Sequence, residues 1–322
     1  MDRELAIDLI RNSGLDDAVD DLIGRLRPSI RIRTQAVHAE PLHDSSKFGG
    51  MPLVPSDFDW PSWDATGRLM SMRKTLENLK SRNPRSGSFP DKAIAKIDEK
   101  LKNPWKPLAF LAQLKLAEVT GITRELGLPQ SGRLLFFADH EDGLSGFDPA
   151  SRGSAQVIYV PERPDEGLAR PPEFLSGNDR FPPCVLNFSL EQTLPIDGRS
   201  YGLDAHVWDG EGPYVQLIKE LTGDDQCVHR AGGYAEEIQG AMELECQLVT
   251  NGIWCGDASG YQDPRRKLLE PGAGDWRLLL QLDSDDNLKW MWGDAGRLYF
   301  WIRQRDLAET DFSNVWCIEQ CY

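Results

Sequence analysis

The sequence is poor in the runs and residue types that would place a protein in a membrane, on a nucleic acid or around a tightly held metal. No apolar stretch approaches the roughly 20 residues that a membrane-spanning helix needs. The opening MDRELAIDLIRNSG lacks the basic start and long apolar core of an export signal. Positive charge is in deficit, with 36 Lys and Arg against 51 Asp and Glu and a formal net charge of −15. Such a surface repels nucleic-acid phosphates and anionic lipids, and no recognition module offsets it. Neither nucleic acid nor membrane is therefore an expected partner. Histidine is scarce, at five in 322 residues, and there is no C-x-x-C and no close His/Cys or His/Glu spacing of a zinc site. Without an export signal the six cysteines are expected to be reduced and mostly buried, in a cytoplasmic protein.

What is present is a repeat. FLAQLKLAEVTGITRELGLPQSGRLLFF (110–137) and LLLQLDSDDNLKWMWGDAGRLYFWI (278–302) each carry an apolar run with one Gln, Gln113 or Gln281. An irregular stretch follows, and then Gly-Arg-Leu opens a second apolar run. Strand, excursion, turn and strand, stated twice, predict two related sheet units around a shared core. Further strands are expected at Ile30–Ala36, Val157–Val160 and Val315–Cys321, and at Glu243–Thr250, where apolar and polar residues alternate. Helical spacing marks residues 1–28, Asp91–Lys102 and Gly212–Leu221. Long βαβ units are missing. The expected fold is mainly β, or α+β by element count: a large, mostly antiparallel sheet with an internal duplication, N-terminal helices and a short helical insertion. The expected division is N-terminal helices 1–28 and one β-rich domain 29–322, with repeat units near 108–139 and 276–302. Residues 64–106 form an insertion with eleven Lys or Arg against five Asp or Glu, a local +6. It either docks an acidic partner or complements the protein's own acidic surface.

Several patterns bear on chemistry. Gly198-Arg199-Ser200-Tyr201-Gly202 matches the nucleophile-elbow spacing, but LPIDG before it and LDAHVWD after it do not give the strand and helix which that motif requires. Asp283, Asp285, Asp286 and Asn287 resemble the start of a calcium loop, yet Leu288 stands where glycine is needed and Asp294 where a bidentate Glu belongs. A second acidic run, Asp139 to Asp142, follows the first repeat. Paired glycines, Gly49-Gly50 and Gly232-Gly233, sit near Trp60 and Tyr234 and read either as tight corners or as the lining of a cleft.

Four blocks and the tail carry a family resemblance: SKFGGMPLVPSDFDWP (46–61), LAFLAQLKLAEV (108–119), LPQSGRLLFF (128–137), HRAGGYAEEIQ (229–239) and residues 278–321. In this order they resemble the YwqG-like family. The resemblance implies a soluble, bacterial-type, β-rich protein of unknown biochemical function, and it supplies no catalytic residues. Family-like positions include Gly49, Gly50, Pro52, Trp60, Gln113, His229, Gly232, Gly233, Gln281, Asp283, Asp286, Trp292, Gly293, Asp294 and Gly296. The chain departs from the pattern at Gly233-Tyr234-Ala235, where similar members carry Gly-Tyr-Pro, and in its insertion. Some relatives are associated with toxin and immunity gene neighbourhoods, which suits a protein that binds another protein.

The leading expectation is a non-catalytic binding protein with a protein partner and no cofactor. Its expected contact surface comprises Gly49, Gly50, Trp60, His229, Gly232, Gly233, Tyr234, Gln281 and Trp292. The alternative is a metal-assisted hydrolase or small-ligand-binding protein in which Asp283, Asp286 and Asp294 hold a metal and His229 moves a proton.

Overall fold

The computed structural model describes residues 1–41, 44–82, 89–120, 123–124, 127–142, 145–175, 177–197, 212–223, 225 and 227–322. Ten strands form one antiparallel sheet. In chain order they are β1 (Arg27–Ala36), β2 (Lys47–Phe48), β6 (Ala109–Lys115), β7 (Arg133–Ala138), β8 (Ala155–Val160), β10 (Cys184–Thr193), β11 (His229–Gly232), β12 (Trp276–Asp283), β13 (Arg297–Arg303) and β14 (Trp316–Gln320). Two small ribbons, β3 (Leu53–Pro55) with β9 (Glu166–Leu168) and β4 (Ser62–Asp64) with β5 (Trp105–Pro107), are the remaining strands among the described residues. The order across the sheet is β14-β13-β12-β11-β1-β10-β2-β6-β7-β8, which is symmetric about the central pair β1 and β10.

The symmetry extends to single residues. Lys47 lies opposite Gln113 in one half, and Arg230 lies opposite Gln281 in the other. Each Gln follows a register shift, between Phe110 and Ala112 or between Leu278 and Leu280. Each is fully buried and makes the same two bonds. Gln113 accepts from the Leu53 N–H and donates to the Ser45 carbonyl; Gln281 accepts from the Glu236 N–H and donates to the Val228 carbonyl. The conspicuous Gln of each repeat is thus a clamp on the chain that runs through the adjacent glycine pair.

The glycine pairs are the corners of these passages. Gly49, Gly50, Gly232 and Gly233 all have φ between 62° and 72°. Side chains there would also collide: a Cβ on Gly49 would lie 2.2 Å from the Pro182 carbonyl oxygen, and one on Gly233 would lie 2.6 Å from Thr193 Oγ1.

Strands buried on both faces explain the unbroken apolar runs. Along β7, Leu134 and Phe136 enter one cluster, whereas Leu135 and Phe137 enter another. Along β13, Leu298 and Phe300 alternate in the same way with Tyr299 and Trp301. The sheet curls so that its two halves share the inner cluster, and Phe136 meets its counterpart Phe300 edge to face at 5.2 Å. Outside, α1 (Arg3–Arg11), α2 (Val19–Arg25) and α5 (Pro213–Thr222) share one cluster. The insertion helices α3 (Thr66–Arg82) and α4 (Phe89–Lys100) bury Leu69 and Ile97 against β6 and β7.

The mainly antiparallel, duplicated sheet with N-terminal helices and a helical insertion is as expected. One element differs. Glu243–Thr250 is a helix, α6, whose Cys246, Leu248 and Val249 pack against β12, β13 and β14. Eight residues with alternating apolar positions also satisfy i, i+3 spacing at Cys246 and Val249. Glu243 and Glu245 in the first turn favour the helix N-terminus. The sequence reading also missed β10, the central partner of β1.

Candidate functional site

The same symmetry isolates the place where the halves diverge. In the first half the Ser46 hydroxyl accepts the backbone N–H of Lys115 at 2.8 Å. At the equivalent position of the second half His229 Nδ1 accepts the N–H of Asp283 at 2.9 Å. A short hydroxyl suffices for that bond; the imidazole makes it and carries a second polar atom beyond. His229 Nε2 lies 3.1 Å from Asp285 Oδ2 and 3.2 Å from Cys227 Sγ.

Three elements converge here. β11 begins at His229, Cys227 lies two residues before it, and Asp285 starts the turn after β12. That turn is closed by backbone bonds between Asp285 and Trp290. From β1, Thr34 donates its hydroxyl to Asp285 and accepts from Asn287 Nδ2 at 3.1 Å. Asp285 Oδ1 accepts the Asn287 N–H. The donor atoms of Cys227, His229 and Asp285 all lie within 4.8 Å of one another. They open on a pocket of about 280 Å³ lined also by Ile32, Arg33, Asp225 and Asn287. A thiol, an imidazole nitrogen and a carboxylate oxygen in this arrangement form a cluster able to coordinate a metal ion.

Protonation follows from the bonds. An N–H donates to Nδ1, so the neutral imidazole carries its proton on Nε2 and points it at Asp285. Burial raises the Asp285 pKa, but the bonds from His229, Thr34 and the Asn287 N–H outweigh it and hold the carboxyl below its ordinary range. Burial, with Asp285 and Asp283 nearby, pushes the Cys227 thiol up to about 12. Its S–H faces the Ser284 carbonyl at 3.5 Å. A nucleophilic dyad would need a depressed thiol and two separate imidazole nitrogens for thiol and carboxylate. Here one nitrogen serves both.

The residues singled out from sequence fall differently. Asp283 lies at the cluster but is committed elsewhere: Oδ2 accepts from the Val228 N–H and from Arg297 Nε, and Oδ1 from the Ser284 N–H. Asp286 and Asp294 are exposed. The acids beside His229 are thus Asp283 and Asp285, and the cluster's third member, Cys227, was missed, although Cys-x-His followed by an Asp-rich turn was available as a signal. Tyr234 is buried under Arg27, 4.1 Å from the ring centroid to the guanidinium. Trp60 is half-buried and donates to the Leu108 carbonyl. Trp292 is buried and donates to the Asp283 carbonyl. His206 and Ser200, with the rest of the elbow-like segment, and His43 lie outside the described residues. All six cysteines are free.

The comparison with known families matches this geography. The profile of one family, the domain of unknown function DUF1963, covers residues 46–321, and so includes both glycine pairs, both Gln clamps and the His229 cluster. The chain belongs to the DUF1963 family. That agrees with the YwqG-like resemblance of its sequence blocks. No curated protein matches the chain. Among the described residues no helix is long and apolar enough to cross a membrane.

Proposed function

We propose that this DUF1963 member binds a divalent cation of borderline softness, of the zinc or cobalt type, at Cys227, His229 and Asp285. The observation that carries this reading is the convergence of three chemically different donors at the wall of a pocket. A mixed S, N, O set favours zinc over calcium or magnesium, which prefer oxygen alone. Three protein ligands leave a further position facing the pocket. Tetrahedral zinc would place its sulfur and nitrogen donors about 3.5 Å apart, by the usual bond lengths. The 3.2 Å between Cys227 Sγ and His229 Nε2 calls for only slight spreading.

Binding has a cost visible in the hydrogen bonds. Ligation would release the Cys227 proton and shift the imidazole proton from Nε2 to Nδ1. A ligating imidazole ordinarily donates through its other nitrogen, whereas His229 Nδ1 accepts from Asp283. Loading therefore requires the ring to give up that N–H. The expected site is reversible and proton-coupled, unlike a closed structural zinc centre.

Cobalt(II) titration tests this. The expected result is one equivalent bound, with near-ultraviolet thiolate-to-cobalt absorption that zinc reverses and that Cys227→Ser abolishes. Absence of that absorption, or its persistence in Cys227→Ser, overturns the proposal.

A further inference from the structure

A second cavity lies across Trp290 from this cluster. It encloses about 650 Å³ between the Arg180–Pro182 segment that leads into β10, the Lys289–Trp292 end of the turn after β12, and His140 beyond β7. That volume is within the range of pockets for small organic ligands.

Its walls are aromatic. Phe181 stands edge-on to Trp290 at 5.7 Å and to Trp292 at 6.1 Å, and the two indoles are 5.3 Å apart. His140 closes the group, 5.7 Å from Phe181 and 6.1 Å from Trp292. An aromatic wall of this kind favours a ring on the guest, which adds edge-to-face or offset contacts to it.

The charge of the lining runs against that of the protein. In a chain of net charge −15, the described residues lining the cavity include Arg180, Lys289 and His140 and no Asp or Glu. Arg180 donates to the carbonyls of Pro172 and Glu173, and among the described residues no carboxylate is within ion-pair distance of Arg180 or Lys289. His140 is paired with Asp179 at 2.9 Å. One wall residue also carries an unused donor: Trp290 is 1% exposed, and its buried indole Nε1 has no hydrogen-bond partner among the described residues. A buried N–H without an acceptor is unfavourable by itself, so an acceptor on a bound molecule would gain from it.

We propose that this cavity binds a small organic anion with a planar ring, the ring resting against the wall formed by Phe181, Trp290 and Trp292 and the anionic group facing Arg180 and Lys289. The anionic group is either a phosphate or a carboxylate. This site is separate from the cation site and does not depend on it.

Calorimetric titration of the full chain tests the proposal with two probes, adenosine monophosphate and indole-3-acetate, and with uncharged indole as control. Saturable binding of at least one acidic probe, well above that of indole, is expected, and the stronger probe identifies the anionic group. Arg180→Gln and Lys289→Gln alter exposed side chains, so folding is retained; each is expected to weaken binding about tenfold, the loss of one charge-assisted contact. Trp290→Phe keeps a ring but removes the donor, and is expected to weaken binding severalfold. The proposal is overturned if neither probe saturates, if indole binds as well as the acids, or if the Arg180→Gln/Lys289→Gln double variant binds like the wild type.

Discussion

The paired Gln clamps give a quantitative test of the duplication. Replacing Gln113 or Gln281 by Met keeps the side-chain length and removes two hydrogen bonds to the main chain. Each bond contributes about 1 kcal/mol net, and a buried partner left unsatisfied adds about 1–3 kcal/mol. In both halves one of the two bonds is fully buried and the other partly so: the Leu53 N–H and Val228 carbonyl are the buried partners, and the Ser45 carbonyl and Glu236 N–H the less buried ones. The expected loss is thus about 3–5 kcal/mol for each variant, and nearly the same for the two. Urea unfolding followed by circular dichroism measures it, with exposed Gln216→Met as a neutral control. The reasoning fails if either variant unfolds within about 0.5 kcal/mol of the wild type, below the net value of one such bond. It also fails if one clamp matters and the other does not, since shape would then have been repeated without its physics.

Other expectations follow from the same contacts. Asp142 receives Lys100 and Lys106 from the basic insertion, and although burial raises its pKa, those two bonds bring it below the ordinary 3.8. With a folded value under the unfolded one, its contribution is complete above about pH 4 and fades as pH falls through the folded value. Proteolysis at α3 and α4 should therefore accelerate in acid, and Asp142→Asn should show that acceleration already at neutral pH; an unchanged cleavage rate in the variant would refute the pairing as an anchor. Cys227, with its thiol near 12, should react with iodoacetamide at neutral pH more slowly than an unstructured thiol. Rapid labelling of Cys227, read by peptide mass spectrometry, would instead indicate a thiolate and reopen a nucleophilic role. Gly233→Ala should destabilise by about 1–3 kcal/mol in thermal melts, because it combines a left-handed backbone with a collision against Thr193 and Ser29.

Most of the architecture was legible because strands buried on both faces leave long apolar runs, and because each Gln interrupts its run at the same place. The error at Glu243–Thr250 was one of window length: eight residues cannot separate a period of 2 from one of 3.6 when Leu, Glu and Gln are the residues concerned. β10 was overlooked since its Asn187, Ser189 and Glu191 lie among the apolar positions of a strand that is only half covered. The site was harder to read. His229 was visible, and Cys227 stands two residues before it, but Asp285 meets them only after β11 and β12 pair, so the Cys-x-His spacing alone did not reveal the third donor. The abundant exposed acids, Asp286 and Asp294 among them, drew attention away from the buried one. For the insertion the sequence left two alternatives open, a partner or the protein's own acids, and Arg68, Lys100 and Lys106 pair with Asp148, Asp142 and Asp139 of their own chain.

The contact between Phe136 and Phe300 brings a residue against its own counterpart, which is how a two-fold dimer is joined at its axis. In such a dimer every substitution is made twice, so a new side chain at the axis or in a pocket must be tolerated on both sides at once. A single chain carrying both copies is free of that constraint. Ser46 can keep holding a backbone amide while His229, holding the same amide, also reaches toward Cys227 and Asp285. Lys115 and Asp283 can even carry opposite charges at one equivalent position. One half is left to maintain the sheet, and the other is free to gather a cluster of donors.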